Sequence, residues 1–341
     1  MRVENYTPFM TRTFRDHPSD EIGRVDALTM VVWSVADSVA TPSSHTPAVS
    51  WPRLSAPADL GYVQVTVAGA IRTDDFTPFT SRDAVLSVES EERRVRAFGG
   101  RRWLRQNGVL TATEPTAVRE VMMAWANAYG GAFTRPPGIV RGTGLPGPST
   151  LESWAANPGG TGFYVTEDEA EGGPLPNLED AGRLIKKWDD RLPPLCWAEL
   201  PENSNLRLGH VVDRDGILGT RGAPGRSPLL DIEAHAPPWL RFHSVEDGSE
   251  IVIEGFSSVA FAFRVPQAPF RWRLSTGDRH GWVLPTLWSI VILPNERLFI
   301  SFYRTAGLLP LIRHEPRVAR QVMSEHSPSV ETLPVLRSSG Q

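Results

Sequence analysis

The chain has 341 residues, 40% of them hydrophobic and 22% charged, which supplies a core and excludes wholesale disorder. A formal net charge of −4 and a pI near 6.1 provide no general attraction to nucleic acid or to an anionic membrane. One cysteine, Cys196, excludes an intramolecular disulfide framework and fits a reducing compartment.

The run Pro193-Pro194-Leu195-Cys196-Trp197 sets no base or cation beside that thiol, so it reads as a small packed side chain. The basic residues are nearly all arginine, with Lys186 and Lys187 the two lysines, and arginine suits interface contacts. Residues 1–20 hold no apolar core of signal-peptide length, and no stretch reaches the ~20 apolar residues of a membrane span. The expectation is a cytoplasmic protein with neither a membrane nor a nucleic-acid partner, for which the sequon Asn5-Tyr6-Thr7 has no meaning.

In chain order, Leu28–Ala36 is an almost unbroken apolar run, as in a strand covered on both faces. Within Gly61–Ile71, Val63, Val65, Val67 and Ile71 alternate with Gln64 and Thr66. Ala84–Ser90 and Arg93–Phe98 read as a hairpin around Glu91-Glu92, and Asn107-Gly108 is a strong turn signal inside Trp103–Leu110. Residues 130–176 are dense in glycine and proline yet carry Phe133, Trp154, Phe163 and Tyr164, which predicts a packed loop region rather than a free linker. A short helix is predicted from Asn177 or Asp180 to Trp188, with Leu184 and Trp188 as its stripe.

Strands return after residue 200. Glu246-Asp247-Gly248 is a turn between Trp239–Val245 and Ile251–Ile253. Val259, Phe261, Phe263 and Val265 alternate, as do Phe270, Trp272 and Leu274. Trp288–Leu293 and Leu298–Tyr303 flank the four-residue loop Pro294-Asn295-Glu296-Arg297. Glu315–Glu325 is predicted as a short amphipathic helix with Val318, Val322 and Met323 on one face, followed by a mobile tail over 327–341. The fold class is therefore mainly β: two blocks of antiparallel strands, 1–128 and 201–305, packed as sheets and joined by the loop and short-helix region 129–200, with 306–341 as helix and tail. One continuous domain over 20–305 is the alternative division.

Candidate chemistry is sparse. Gly142-Thr143-Gly144-Leu145-Pro146-Gly147 has the letters of a dinucleotide motif, but Pro136, Pro137, Pro146 and Pro148 deny it the strand before and the helix after that such a motif needs. Asp231, Glu233 and His235 would share one face of a strand and offer oxygen and imidazole ligands, without a clear fourth. His210, Asp213 and Asp215 fit a polar turn before Gly216. Asp189-Asp190 would point apart, whereas a glycosidase pair must face a common bond. Arg93, Arg94, Arg96, Arg101 and Arg102, beside Trp103, follow Glu89, Glu91 and Glu92, which makes a charge-mixed face rather than a phosphate track. Metal-peptidase, serine-hydrolase, P-loop and CxxC signatures are missing, and no cofactor is expected.

Four phrases stand in order: Tyr129-Gly130-Gly131-Ala132-Phe133, then Asn157-Pro158-Gly159-Gly160-Thr161-Gly162-Phe163, then Leu175-Pro176-Asn177-Leu178-Glu179-Asp180, then Trp188-Asp189-Asp190-Arg191. Val95–Gly99 with Arg102-Trp103, Gly248–Gly255, Pro266 and the Trp288–Tyr303 hairpin extend the set. Together they resemble the bacterial family known as domain of unknown function 2169. Two departures stand out: Leu192–Leu200 replaces the family's Pro-Gly-Phe-Gly stretch, and His235 stands where an asparagine is usual. The resemblance implies an adaptor or chaperone that loads a secreted effector onto a type VI secretion spike, with no catalytic residues. Its partners would be the effector and a spike or spike-tip protein.

Trp154, Phe163, Tyr164, Arg183 and Trp188 are the expected partner-binding residues. Tyr129, Gly130, Gly131, Asn157, Pro158, Gly160, Gly162, Leu175, Pro176, Asn177 and Glu179 are expected to shape the loops. The glycines supply positive φ or close approach, Asn157-Pro158 starts a turn, and Asn177 bonds its own backbone. The competing functions are a metal-dependent hydrolase on the Asp231/Glu233/His235 face and an immunity-like toxin binder.

Overall fold

A computed structural model describes residues 2–5, 7–15, 25–45, 62–135, 150–154, 156–199, 211–212, 218–219, 238–243, 245–276, 279–305 and 317–323. The strands run in order as β1 (Arg2–Asn5), β2 (Met10–Arg15), β3 (Val25–Ala36), β4 (Val39–Pro42), β5 (Val63–Val67), β6 (Ala70–Arg72), β7 (Ser81–Val88), β8 (Glu91–Phe98), β9 (Trp103–Gln106), β10 (Val109–Ala112) and β11 (Glu120–Met122). The loop-rich middle contributes β12 (Tyr129–Gly130), β13 (Ala132–Arg135), β14 (Thr150–Ser153), β15 (Thr161–Gly162) and β16 (Leu178–Asp180). The remainder are β17 (Val211–Val212), β18 (Leu218–Gly219), β19 (Arg241–Phe242), β20 (Glu250–Glu254), β21 (Phe261–Arg264), β22 (Phe270–Thr276), β23 (Arg279–Val283), β24 (Thr286–Leu293), β25 (Leu298–Thr305) and β26 (Arg317–Met323).

The chain is mainly β, and its two sequence blocks share their sheets. The largest sheet runs β19-β5-β24-β25-β3-β2, with β4 also on β3. The second runs β16-β8-β7-β20-β21 and the third β1-β26-β22-β23. Most pairings are antiparallel, but β5 joins β24, β1 joins β26 and β12 joins β15 in parallel.

The unbroken apolar run of β3 has its predicted cause. Val31, Trp33 and Val35 enter the main core, while Leu28, Met30 and Val32 enter a second cluster on the opposite face with Ile300 and Phe302 of β25. The main core lies between the largest sheet and the second sheet. Phe263 of β21 stacks on Phe299 of β25 at 3.9 Å, and Phe299 stacks on Trp33 at 5.9 Å. The third sheet adds Phe270 and Trp272 to that core, with Phe270 edge-on to Tyr303 at 5.7 Å. Each fully buried apolar side chain of this size stabilises the fold by about 1.5–3 kcal/mol.

The two predicted helices are not formed. Residues 177–188 hold strand β16, paired with β8, and then turns. Residues 317–323 are β26, between β1 and β22. The helix of the middle region is instead the single turn α1 (Glu167–Ala170), closed by a capping box in which Thr166 accepts from the Glu169 N–H and the Glu169 side chain accepts from the Thr166 N–H. The turn of the β7–β8 hairpin falls at Glu89-Ser90, with Glu89 at φ 51, and Glu91-Glu92 already belong to β8. The β9–β10 turn is at Asn107-Gly108 as predicted, both at positive φ (52 and 83). The Glu246–Gly248 turn forms, but β19 before it pairs with β5 and β20 after it pairs with β7 and β21. Among the described residues no helix is long and apolar enough to cross a membrane.

Candidate interaction site

The four ordered phrases, spread over residues 129–191, converge on one point. Asn157 is its centre. Its buried side-chain Nδ2 donates to the carbonyl oxygens of Trp125 at 2.7 Å, Tyr129 at 3.2 Å and Ala128 at 3.4 Å. Its own carbonyl accepts from the N–H of Gly131 at 2.9 Å and of Gly160 at 3.1 Å. Glycine is required at two positions around it. A Cβ on Gly130 (φ 154) would stand 2.1 Å from the Asn157 carbonyl oxygen, and one on Gly160 would stand 2.3 Å from Asn157 Nδ2. The short parallel pair β12–β15 follows, with Phe163 N–H donating to Gly130 O at 2.8 Å.

The third phrase ties this knot to the second sheet. Asn177 accepts at its carbonyl from the Phe98 N–H at 2.7 Å, and its side chain donates to Phe98 O at 3.0 Å. The side chain thus closes a bond to β8 rather than to its own backbone. Arg101 donates to Pro176 O at 2.7 Å, pairs with Glu179, and lies 3.7 Å from the centroid of the Phe98 ring. Both partners of the pair are buried. The other Glu179 oxygen accepts from Ile185 N–H at 2.8 Å, so both carboxylate oxygens are engaged. Burial pushes the Glu179 carboxyl above its usual range, against the pull of Arg101. Sequence reasoning placed Glu179 in the loop set but missed Arg101 as its partner, since 78 residues separate them.

The fourth phrase locks the outside. Asp190 accepts from the N–H groups of Lys186 and Lys187, and its carbonyl accepts from the Tyr129 hydroxyl at 2.8 Å. Asp189-Asp190 therefore form a turn, not a facing pair. Arg191 donates to Tyr164 O at 2.9 Å and sits 5.1 Å from the Phe163 ring centroid.

The expected partner-binding residues are gathered here but not all at the surface. Trp154 is buried in the satellite cluster with Trp103, Leu110, Tyr129 and Leu175. Phe163, Tyr164 and Trp188 are half-buried against that cluster. Arg183 is exposed and lines a small cleft with Leu178, Glu179, Ile185 and Leu192. The Tyr164 hydroxyl donates to Pro174 O at 2.8 Å, and burial pushes its pKa up to about 12.

The basic run is charge-mixed as expected. Arg93 pairs with Glu91, Arg94 with Glu92 and Arg96 with Asp83. Cys196 is fully buried, and burial pushes its thiol up to about 12, which removes it as a nucleophile at neutral pH. Gly142–Gly147, the Asp231/Glu233/His235 face and the His210/Asp213/Asp215 cluster lie outside the described residues. Among the described residues no group of three His, Cys, Asp or Glu side chains could hold a metal ion.

Residues 33–304 match the model of DUF2169, an uncharacterized protein family conserved in bacteria, and the chain belongs to that family. No solved structure matches the chain.

Proposed function

We propose that the chain is a non-catalytic adaptor that binds a secreted effector in the cytoplasm and helps load it onto the spike of a type VI or related contractile secretion system. One observation carries the reading. The family phrases fold into a knot whose carboxylates, hydroxyl and guanidinium groups are spent on bracing the chain, with Phe163, Tyr164, Trp188 and Arg183 on its outer side. Rigid aromatics beside an arginine are what a protein-binding hot spot is made of.

A tagged pull-down of the full chain from the bacterium that encodes it tests this. The expected result is near-stoichiometric recovery of an effector or spike protein encoded beside it, unchanged by chelator. The Arg183→Glu variant, at an exposed position, should lose at least tenfold of that recovery while its unfolding midpoint stays close to the parent's. An effector that remains active in the recovered complex separates an adaptor from an immunity protein. Recovery of the chain alone, carrying bound metal, would overturn the proposal in favour of the hydrolase.

A further inference from the structure

At one end of the two-sheet core, connections that are distant in sequence are bonded to one another. The β24–β25 turn supplies Asn295, whose Oδ1 accepts from the Ala70 N–H of β6 at 2.7 Å and whose Nδ2 donates to Phe256 O of the β20–β21 loop at 2.8 Å. Arg297 O of the same turn accepts from the Val35 N–H, beside the β3–β4 turn, at 3.0 Å. Ser258 of the β20–β21 loop donates its N–H to Asp74, in the turn after β6, at 3.0 Å. Arg82 of β7 braces the β20–β21 loop by donating to Gly255 O and Ser257 O, both at 2.9 Å.

This loop surface carries large apolar side chains that the core does not enclose. Val39 is 62% exposed, Val259 65% and Phe76 41%. Phe76 stands at φ 56, a left-handed conformation that strains a bulky residue and that glycine adopts freely. Backbone preference therefore does not account for an aromatic there. The Arg72 guanidinium covers one face of its ring at 4.7 Å. Asp37 and Ser38, at φ 48 and 64, make the tight turn that presents Val39. Exposed apolar groups on braced loops mark an interaction surface.

Charge selects the occupant. Asp37, Asp75 and Glu296 stand exposed on the same connections. The Thr77 hydroxyl and N–H hold Asp75 in its ionised form. Glu296 has His45 at 3.8 Å, an ion pair only when that imidazole is protonated. The guanidinium groups are engaged: Arg72 with Phe76 and with Glu120 at 3.9 Å, Arg297 over Phe261 at 5.8 Å, and Arg82 with carbonyls. A nucleic acid or an anionic lipid would be repelled by such a surface on a chain at −4. Two copies meeting end to end would set these carboxylates against their own counterparts, which opposes a symmetric dimer.

We propose that this end of the core is a second docking surface, which takes an apolar segment of a partner protein that also carries arginine or lysine. The apolar side chains of the segment pack on Val39, Phe76 and Val259, and its cations meet Asp37, Asp75 and Glu296. An adaptor holds two proteins at once and needs a surface beyond the knot, so the identity of the protein that carries the segment rests on the adaptor reading; the surface itself does not.

The probe is a phage-displayed library of random twelve-residue peptides, selected on the immobilised full chain. The enriched peptides should combine aromatic or aliphatic residues with net positive charge. Synthesised with a fluorescein label and titrated by anisotropy, they should bind Phe76→Gly/Val259→Ser at least tenfold more weakly than the parent. Asp37→Asn/Glu296→Gln should bind them at least threefold more weakly and with a shallower salt dependence. These positions are exposed and glycine suits the backbone at 76, so unfolding midpoints should stay near the parent's. Should Phe76→Gly/Val259→Ser not fold, the charge variant decides alone. Enriched peptides without positive charge, no enrichment, or peptides weakened by neither variant overturns the proposal. A concentration-dependent dimer of the parent that Phe76→Gly/Val259→Ser dissolves, read by sedimentation, overturns it in favour of a second copy. Recovery of effector and spike protein by Phe76→Gly/Val259→Ser equal to the parent's also overturns it and leaves the adaptor reading standing. Basic-peptide binding, weakened in both variants, by a parent that recovers neither protein keeps the surface and removes the adaptor reading.

Discussion

Asn157 does with one side chain what the surrounding backbone cannot do alone. Its amide nitrogen meets three carbonyls from the 125–129 turn, and no water need enter to satisfy them. Asn157→Ala would take a donor from all three, although the Trp125 carbonyl keeps the Ala128 N–H and the Ala128 carbonyl keeps the Thr161 N–H, at a cost of about 1–3 kcal/mol. The urea midpoint should fall accordingly with an unchanged slope. Asp75 tests electrostatics at the opposite extreme of exposure. The Thr77 hydroxyl, then the Thr77 N–H, hold its carboxyl down at about 2. A carboxyl whose folded pKa lies below its unfolded value adds stability that is present above the unfolded value and lost as pH falls through the folded one. Asp75→Asn keeps an acceptor for Thr77 but removes the charge. Its melting temperature should lie below the parent's at neutral pH, and the two curves should meet near pH 2.

At the scale of elements, β16 depends on a pair that lies outside its own strand ladder. Its three residues bond to β8, and Glu179 is anchored from the side by Arg101 and Ile185. Removing either charge leaves the other buried without its partner. Glu179→Gln or Arg101→Met alone should each cost about 3–5 kcal/mol in denaturant unfolding. The double replacement with Leu and Met should cost well under their sum, because no uncompensated charge remains. The same element shows where the sequence stops being legible. Leu184 and Trp188 have helical spacing, but turns closed by Asp180 and Asp190 bring Ile185, not Leu184, into the satellite cluster beside Trp188. Val318 and Val322 also have helical spacing, and with residue 320 between them they fit a strand equally well. Pairing with β22 decides the matter. Elements with strict alternation or a turn residue at the required place, such as β21, β24–β25 and the Asn107-Gly108 hairpin, were legible because local chemistry and tertiary contacts agree there. In the site, the ordered phrases marked the knot. Which of their rings face outward was not legible, because Trp154 and Trp188 differ in burial, not in type.

Over the whole molecule, strand alternation tells which residues turn inward but not which distant strand they meet. The register answers that. Gln64 of β5 stands beside Ser289 of β24, Trp33 of β3 opposite Phe299 of β25, and Ser87 of β7 opposite Val252 of β20. Every large sheet therefore closes only when strands from after residue 240 arrive, across loops whose closure entropy must be met first. A chain ending at residue 200 would hold β3, β5 and β7 with bare edges and half of the main core facing water. Residues 1–200 and 201–341 expressed separately should each be insoluble or lack a cooperative transition, whereas co-expression of the two pieces should restore one transition in thermal unfolding. A cooperative, soluble 1–200 fragment would mean that the β3, β5 and β7 ladders are dispensable to the stability of that half, and the shared sheets would then be an interface between two separately stable units.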